Sequence, residues 1–489
     1  MKRVASAILP LITIDRHTRD PVHRQIYEAY RTAIIGRRLR PGERVPSSRT
    51  VAAELGVSRM PVLNAYDQLL AEGYFESRIG SGTRVCSTLP DLPSFRLRSM
   101  GTLSGPRPVA SRVSIVHHEQ PTPWIRGWGS FGVGQVALEQ FPFQIWSRLV
   151  ARHSRTVSID SVRYSDQMGS PGFRDTIATY LRTSRGVSCE ARQIMIVSGS
   201  QQALDITARV LLDKGSQVWL EDPGYIYARD VLAMTGCKLV PVPIDGEGLD
   251  VAAGIKLNHK ARAAFVTPSH QYPLGVTMSA SRRLQLLDWA QSVGAWIIED
   301  DYDAEYRYDG MPISSLQGLD HNARVIYIGT FSKVLYPSLR LGYLVIPPDL
   351  IDRFCAVRRV MDIAAPSFYQ SVVADFIREG HFARHIRRMR TLYRERRSAV
   401  VKSICEEVDA EVIGAEAGVH ISVLLGKDCS DVEFSQRAAR EKLWLWPLSP
   451  CYVGKPSRQG FILGYGSTPV EQVHRAVQMI SSLLKSNKE

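Results

Sequence analysis

Residues 295–303, AWIIEDDYD, and residues 324–333, RVIYIGTFSK, decide the fold. Each is a short apolar run that ends abruptly in charged and hydroxylated residues. Strands buried on both faces read this way, because helices on either side of a parallel sheet leave no solvent face to alternate with. The polar residues then sit at the carboxyl ends of the strands, where open α/β sheets bind their ligands. Asp300-Asp301-Tyr302 and Thr330-Phe331-Ser332-Lys333 are therefore expected in one crevice.

The same pattern repeats on either side of these runs. QIMIVSG (193–199) precedes the helical stretch QQALDITARVLL, and SQVWLEDPGY (216–225) precedes another helix. KLVPVPI (238–244) and AAFVTPSH (263–270) follow, the latter leading into RRLQLLDWAQSVG. Strands alternating with amphipathic helices make β-α units and a largely parallel sheet. HFARHIRRMRTLYRERRSAV (381–400) places Ile386, Met389 and Tyr393 at helical spacing and reads as an amphipathic helix with a basic outer face.

The strand ends carry a coherent chemistry. Ser200 and Gln201 open a helix just after Gly199, and helix N-termini offer free N–H groups and a positive dipole end to a phosphate. Lys333 is flanked by the hydroxyls of Thr330 and Ser332, with Arg340 seven residues on. A lysine so placed suits an aldehyde cofactor bearing a phosphate, because burial and nearby cations lower the amine pKa enough for Schiff-base formation. Asp300 suits a protonated pyridine nitrogen, Tyr302 a ring hydroxyl, and Tyr225 stacking on the ring.

This set resembles the fold-type-I aminotransferases over roughly residues 130–489. TFSKVLYPSLRLGY and IIEDDYD carry the match most strongly, with 33 residues from Asp300 to Lys333. The resemblance implies pyridoxal 5'-phosphate (PLP) held as an aldimine on Lys333. It implies Asp300 at the pyridine nitrogen, Tyr302 at the ring hydroxyl, and Ser200, Gln201, Thr330, Ser332 and Arg340 around the phosphate. Tyr164, in VRYSDQMGSPGF, resembles the tyrosine that reaches the neighbouring subunit's phosphate, which implies a head-to-tail homodimer.

Two departures bear on activity. Where aminotransferases carry Asn-Pro-x-Gly, this chain has Tyr272-Pro273-Leu274-Gly275. Near the C-terminus GFILGYGS lacks the arginine that clamps a substrate carboxylate; Arg458, just upstream, is the available substitute. Efficient transamination is not expected.

The first 86 residues read differently. Val22, Ile26, Tyr30 and Ala33 mark one helix, and Gly36, Pro41, Gly42 and Pro46 break the pattern after it. Two short helices follow, joined at Gly56, with Ser58 as N-cap of the second and Val62, Ala65, Tyr66 and Leu69 as its buried face. YFESRIGSGTRV then reads as two strands around a glycine turn. This is a helix-turn-helix with a wing, whose second helix enters a major groove. Arg49, Ser58, Arg59, Asn64, Arg78 and Gly82 are the candidate DNA contacts. Fourteen Lys and Arg against eight Asp and Glu in this stretch, within a net charge of +13 for the 489-residue chain, favour a polyanionic partner.

Pro21–Val85 closely resembles the DNA-binding domain of the GntR family. A GntR-like head on an aminotransferase-like body is the arrangement of the MocR-type regulators. The resemblance implies a winged helix-turn-helix at 1–86, a linker at 87–128 rich in Pro, Ser, Gly and Arg, and an α/β effector domain at 129–489 with a mostly parallel large sheet and a small C-terminal α+β part. The implied partners are a double-stranded DNA operator and a small effector: an amine, an amino acid or PLP itself. The alternative is a working aminotransferase with an autoregulatory head. Seven scattered cysteines without a CxxC pair argue against a disulfide framework or metal site, and no run of about 18 apolar residues offers a membrane span, so a cytoplasmic protein is expected.

Overall fold

The computed structural model divides the chain into two units, Met1–Pro108 and Val109–Glu489. It describes residues 12–78, 82–88, 108–116, 122–157, 159, 163–308, 313–426 and 429–486.

In the first unit, helix α1 (Val22–Ile35) buries Ile26, Tyr27, Tyr30, Ala33 and Ile34, an apolar stripe at helical spacing. Helix α2 (Ser48–Leu55) starts where the Ser47 hydroxyl accepts from the Thr50 N–H, and ends at Gly56 in the left-handed conformation. Helix α3 (Arg59–Ala71) buries Val62, Ala65, Tyr66 and Leu69, the face expected from the sequence. Ser58 occupies the N-cap position, but its side chain makes no capping bond. Strands β1 (Phe75–Arg78) and β2 (Gly82–Val85) pair antiparallel, Phe75 opposite Val85. The wing tip Gly80-Ser81 and the side chain of Arg78 lie outside the described residues.

A knot of aromatic rings holds this small core. Tyr30, Tyr66 and Phe75 meet edge to face with centroids 5.2–5.5 Å apart. The Tyr66 hydroxyl donates to the Pro46 carbonyl at 2.8 Å, so at 3.0 Å it must accept from Tyr30. Both phenols are thus satisfied without water.

The second unit is built on an eight-stranded sheet. Its strands are β3 (Ile194–Val197), β4 (Gln217–Asp222), β5 (Lys238–Asp245), β6 (Gly248–Leu249), β7 (Ala263–Val266), β8 (Trp296–Asp301), β9 (Val325–Thr330) and β10 (Gly342–Val345), in the order β3-β10-β9-β8-β7-β4-β5-β6. From β9 to β5 neighbours run parallel. Strand β10 lies antiparallel between β3 and β9, and β6 antiparallel to β5. Helices α4 (Ser200–Leu211), α5 (Ile226–Met234) and α6 (Ala280–Val293) are crossovers of the β-α units. The central strands β7, β8 and β9 are buried at every residue, which is why they read as unbroken apolar runs.

Helix α7 (His381–Glu407) leads into the C-terminal part and buries Ile386, Met389 and Tyr393 as expected. There β11 (Glu411–Ile413), β12 (His420–Leu425), β13 (Trp446–Pro447) and β14 (Gln459–Gly464) form an antiparallel sheet in the order β11-β12-β14-β13. Helices α8 (Asp431–Arg440) and α9 (Val470–Lys485) accompany it. Within the stretch read as linker, Ser111–Ile115 and Pro123–Arg126 form short helical turns; the first contacts α5, the second α8. Residues 89–107 and 117–121 of that stretch lie outside the described residues.

Candidate functional site

A cavity of about 220 Å³ opens at the carboxyl ends of the parallel strands. Nine of the ten side chains expected to hold a cofactor line it. Ser200 and Gln201 come from the start of α4, Tyr225 from the turn before α5, and Asp300 and Tyr302 from the end of β8. Thr330, Ser332, Lys333 and Arg340 come from the end of β9 and the turn that follows. The tenth, Tyr164, is 87% exposed and does not line the cavity.

Strand geometry separates the two adjacent carboxyls. Consecutive residues of a strand face opposite sides. Asp301 accepts at Oδ2 from Arg185 at 2.7 and 2.9 Å and from the Tyr327 hydroxyl at 2.6 Å, a buried charge paired through that one oxygen, while its Oδ1 has no partner among the described residues. Asp300 faces the cavity, and its Oδ1 is buried without a partner among the described residues. Burial, followed by the charges of Asp301 and Asp303, pushes its pKa up to about 8, against the opposing pull of Lys333. A buried carboxyl in this state calls for a cationic or donating partner.

Lys333, in the turn after β9, lines the same cavity. Burial lowers its amine pKa, while Asp303 and Asp300 pull the other way. Nζ donates to the Gly134 carbonyl at 3.2 Å. Gly134 has φ +76°, and an ideal Cβ there would stand 2.3 Å from Nζ. At the phosphate end, Gly199 has φ +124°, and a Cβ on it would meet the Arg340 guanidinium at 3.4 Å. Arg340 is itself held in the left-handed region at φ +51°. An arginine laid across a helix N-terminus, with Thr330 and Ser332 beside it, makes an anion cradle.

Tyr302 is committed on one side. Its hydroxyl donates to the His270 carbonyl at 2.9 Å and lies 3.1 Å from His270 Nδ1. That nitrogen in turn donates to Asp303 at 3.0 Å. The loop carrying His270 and Tyr272 is anchored by Glu221. Its carboxylate accepts from the Thr267 N–H at 3.2 Å, the Thr267 hydroxyl at 2.6 Å and Gln271 at 3.2 Å. Tyr272, at the position where asparagine is usual, packs edge to face on Tyr225 at 5.4 Å.

The sequence missed Val133, Gly134, Tyr227, Thr267, Pro337, Val419, His420 and Trp446 as lining residues. A histidine opening the otherwise apolar run HISVLL was the one available signal. Arg458 is exposed and does not line the cavity. In the first unit, Arg49, Ser58, Arg59, Asn64 and Gly82 are all exposed. Arg59 donates to the Ser48 hydroxyl at 3.1 Å, bridging α3 to α2. The Arg44 guanidinium stands where a Cβ on Gly82 would meet it at 3.3 Å, and Gly82 has φ +79°.

Residues 131–480 match the family described as aminotransferase class I and II, and residues 22–85 match bacterial regulatory proteins of the gntR family. The chain is 40% identical to the probable rhizopine catabolism regulatory protein MocR of Rhizobium meliloti, over 96% of this chain and 95% of that one. It is 31% identical to the pyridoxine biosynthesis transcriptional regulator PdxR of Corynebacterium glutamicum, over 93% and 94%. Among solved structures, the α-aminoadipate aminotransferase LysN of Thermus thermophilus superposes with a TM-score of 0.71 at 27% identity, covering 77% of this chain and 97% of that one. The kynurenine aminotransferase of Pyrococcus horikoshii gives 0.69 at 27% identity, covering 74% and 91%.

Proposed function

Because the chain belongs to the MocR-type regulators, in which a GntR-family helix-turn-helix head is joined to an aminotransferase class I and II domain, we propose that it controls transcription through an amine effector that engages PLP held at Lys333. The observation that carries this reading is the pair formed by Lys333 and Asp300. One cavity holds a buried amine of lowered pKa and a buried carboxyl with an orphaned oxygen. When bound, PLP supplies an aldehyde carbon that combines reversibly with primary amines and a ring that withdraws electrons.

The roles of the chain's own residues follow. Lys333 holds the cofactor's aldehyde end, and Asp300 keeps a proton on the ring nitrogen. Tyr302 meets the ring hydroxyl, and Tyr225 covers the ring. Ser200, Gln201, Thr330, Ser332 and Arg340 hold the phosphate. With PLP bound, an effector amine would compete with Lys333 for the aldehyde end, and the Gly134 carbonyl would hold the Lys333 amine when it is displaced. Only a difference in effector affinity between the two states of the body can move the head.

The proposed organisation is a head at 1–86, a linker at 87–128 and an effector body at 129–489, in a head-to-tail homodimer whose exposed Tyr164 reaches the partner's phosphate. Arg49, Ser58, Arg59, Asn64, Arg78 and Gly82 are the proposed DNA contacts. No helix among the described residues is long and apolar enough to cross a membrane, and a DNA operator places the regulator's work in the cytoplasm. The name of the Rhizobium meliloti relative makes rhizopine the first effector to try, and PLP itself is the second. Turnover is expected to be slow.

The test is a visible absorbance spectrum of the PLP-loaded protein, wild type and Lys333→Ala, read beside operator binding with and without amines. A band that depends on Lys333, and that an amine shifts together with DNA affinity, supports the proposal. A band indifferent to Lys333→Ala refutes it. Sustained keto-acid or aldehyde product would favour the enzyme reading instead.

A further inference from the structure

We propose that His420 determines effector specificity: its bare Nδ1 accepts a hydrogen bond from a hydroxyl or second amine of the effector, and so selects an amine bearing such a donor over one bearing a carboxylate there. This rests on the reading of the cavity as a PLP and amine site.

His420 opens β12, is 2% exposed, and lines the same cavity as Lys333. Its Nε2 lies 3.2 Å from the Pro273 carbonyl oxygen. A carbonyl can only accept, so Nε2 carries a proton. The Ser422 hydroxyl donates to the same oxygen at 2.7 Å and fixes that acceptor in place. Burial, then the neighbouring His270 and Lys333, holds the imidazole pKa well below its usual value, despite the opposing Pro273 contact. The ring is therefore neutral around pH 7, and a neutral imidazole has a single N–H. Nδ1 is left as an acceptor.

That acceptor is free and reachable. Among the described residues His270 Nε2 is sealed from solvent without a partner, whereas His420 Nδ1 makes no hydrogen bond but is not sealed. His420 itself lines the cavity. The ring is held in register by His270 at 4.7 Å, Tyr272 at 5.3 Å and Tyr302 at 6.5 Å, so it cannot swing away to satisfy itself elsewhere.

A lone pair in that position attracts a donor and repels an anion. A carboxylate brought there would face acceptor against acceptor in a poorly solvated space, a costly arrangement. Among the described lining residues the cations are Lys333 and Arg340, both assigned to the cofactor. Tyr227 and Trp446, with centroids 6.3 Å apart, supply aromatic faces for the carbon skeleton of the effector.

The test compares three amines of similar length: 3-aminopropan-1-ol, propylamine and β-alanine. Each is titrated into the PLP-loaded full chain and followed by absorbance and calorimetry, with wild type, His420→Phe and His420→Asn. Wild type should bind the amino alcohol about tenfold more tightly than propylamine, the worth of one well-made hydrogen bond, and β-alanine most weakly. His420→Phe should abolish the preference while leaving propylamine within about twofold. His420→Asn, which restores an acceptor, should recover part of it. An unchanged PLP band certifies that each variant folds. Equal or tighter binding of β-alanine, or a preference that survives His420→Phe, overturns the proposal. Failure of every amine to shift a band that depends on Lys333 overturns the underlying reading as well, and is a distinct result.

Discussion

Lys333 Nζ occupies the space that a side chain at position 134 would need: a Cβ built on Gly134 falls 2.3 Å from that nitrogen, although 199 residues separate the two in the chain. Alanine at 134 must push the amine aside, and it also takes on a left-handed φ of +76° that costs a non-glycine residue about 1–2 kcal/mol. Gly134→Ala is therefore expected to weaken PLP retention at least about tenfold, read as loss of the visible band on dialysis. Operator binding by the head should persist.

Arg340 is expected to carry much of the phosphate's binding. A charge-assisted hydrogen bond is worth about 1.5–3 kcal/mol, so Arg340→Gln should weaken PLP about 10–100-fold. Equilibrium dialysis with radiolabelled or absorbance-detected PLP measures this directly. Unchanged affinity would place the phosphate elsewhere.

The buried carboxyls of the body set its pH dependence without cofactor. Asp300 is raised to about 8 and Glu221 to about 7, each chiefly by burial. A carboxyl whose folded pKa exceeds its unfolded value binds protons more tightly when folded. Its contribution is complete below the unfolded pKa near 4 and is lost as pH rises through the folded value. The Tm of the PLP-free protein should thus fall between pH 5 and 8.5. Asp300→Asn should flatten the slope, and so should bound PLP if the ring nitrogen pairs with Asp300. Calorimetric scans across that range decide the matter; a Tm that rises with pH would contradict the assignment.

In the head, Arg49 is exposed in the first turn of α2. If it meets a phosphate, Arg49→Ala lowers operator affinity and reduces the slope of log K against log salt by about 0.9. Fluorescence anisotropy at several salt concentrations measures both. Tyr66→Phe tests the core instead. It removes the donor to Pro46 and the acceptor for Tyr30, and should cost the head about 1–3 kcal/mol of stability.

The parts legible in the sequence were those whose signal is local. The parallel strands β4, β7, β8 and β9 each run into a polar cluster, so Asp300, Thr330, Ser332 and Lys333 are expected together from the sequence alone. The two antiparallel strands β6 and β10 were hidden. GYLV continues straight out of the lysine-bearing turn, and nothing in four apolar residues states the direction in which they pair. Gly134 and His420 were missed for a different reason. Each reaches the cavity from a distant segment, and the close approach that makes each matter has no counterpart in sequence spacing. Tyr272 is legible as a departure, but its packing on Tyr225 depends on the loop that Glu221 anchors from another strand.

The cavity draws its wall from Val133 at one extreme and Trp446 at the other, whereas the head has its own hydrophobic core within the first 85 residues. The order has a genetic consequence. A nonsense or frameshift allele that stops anywhere between those two wall residues leaves the head's sequence whole and deletes part of the sensor. Such alleles are expected to behave unlike missense changes at Lys333: not as receptors deaf to their signal, but as short products whose effect on the operator no longer answers to any effector at all.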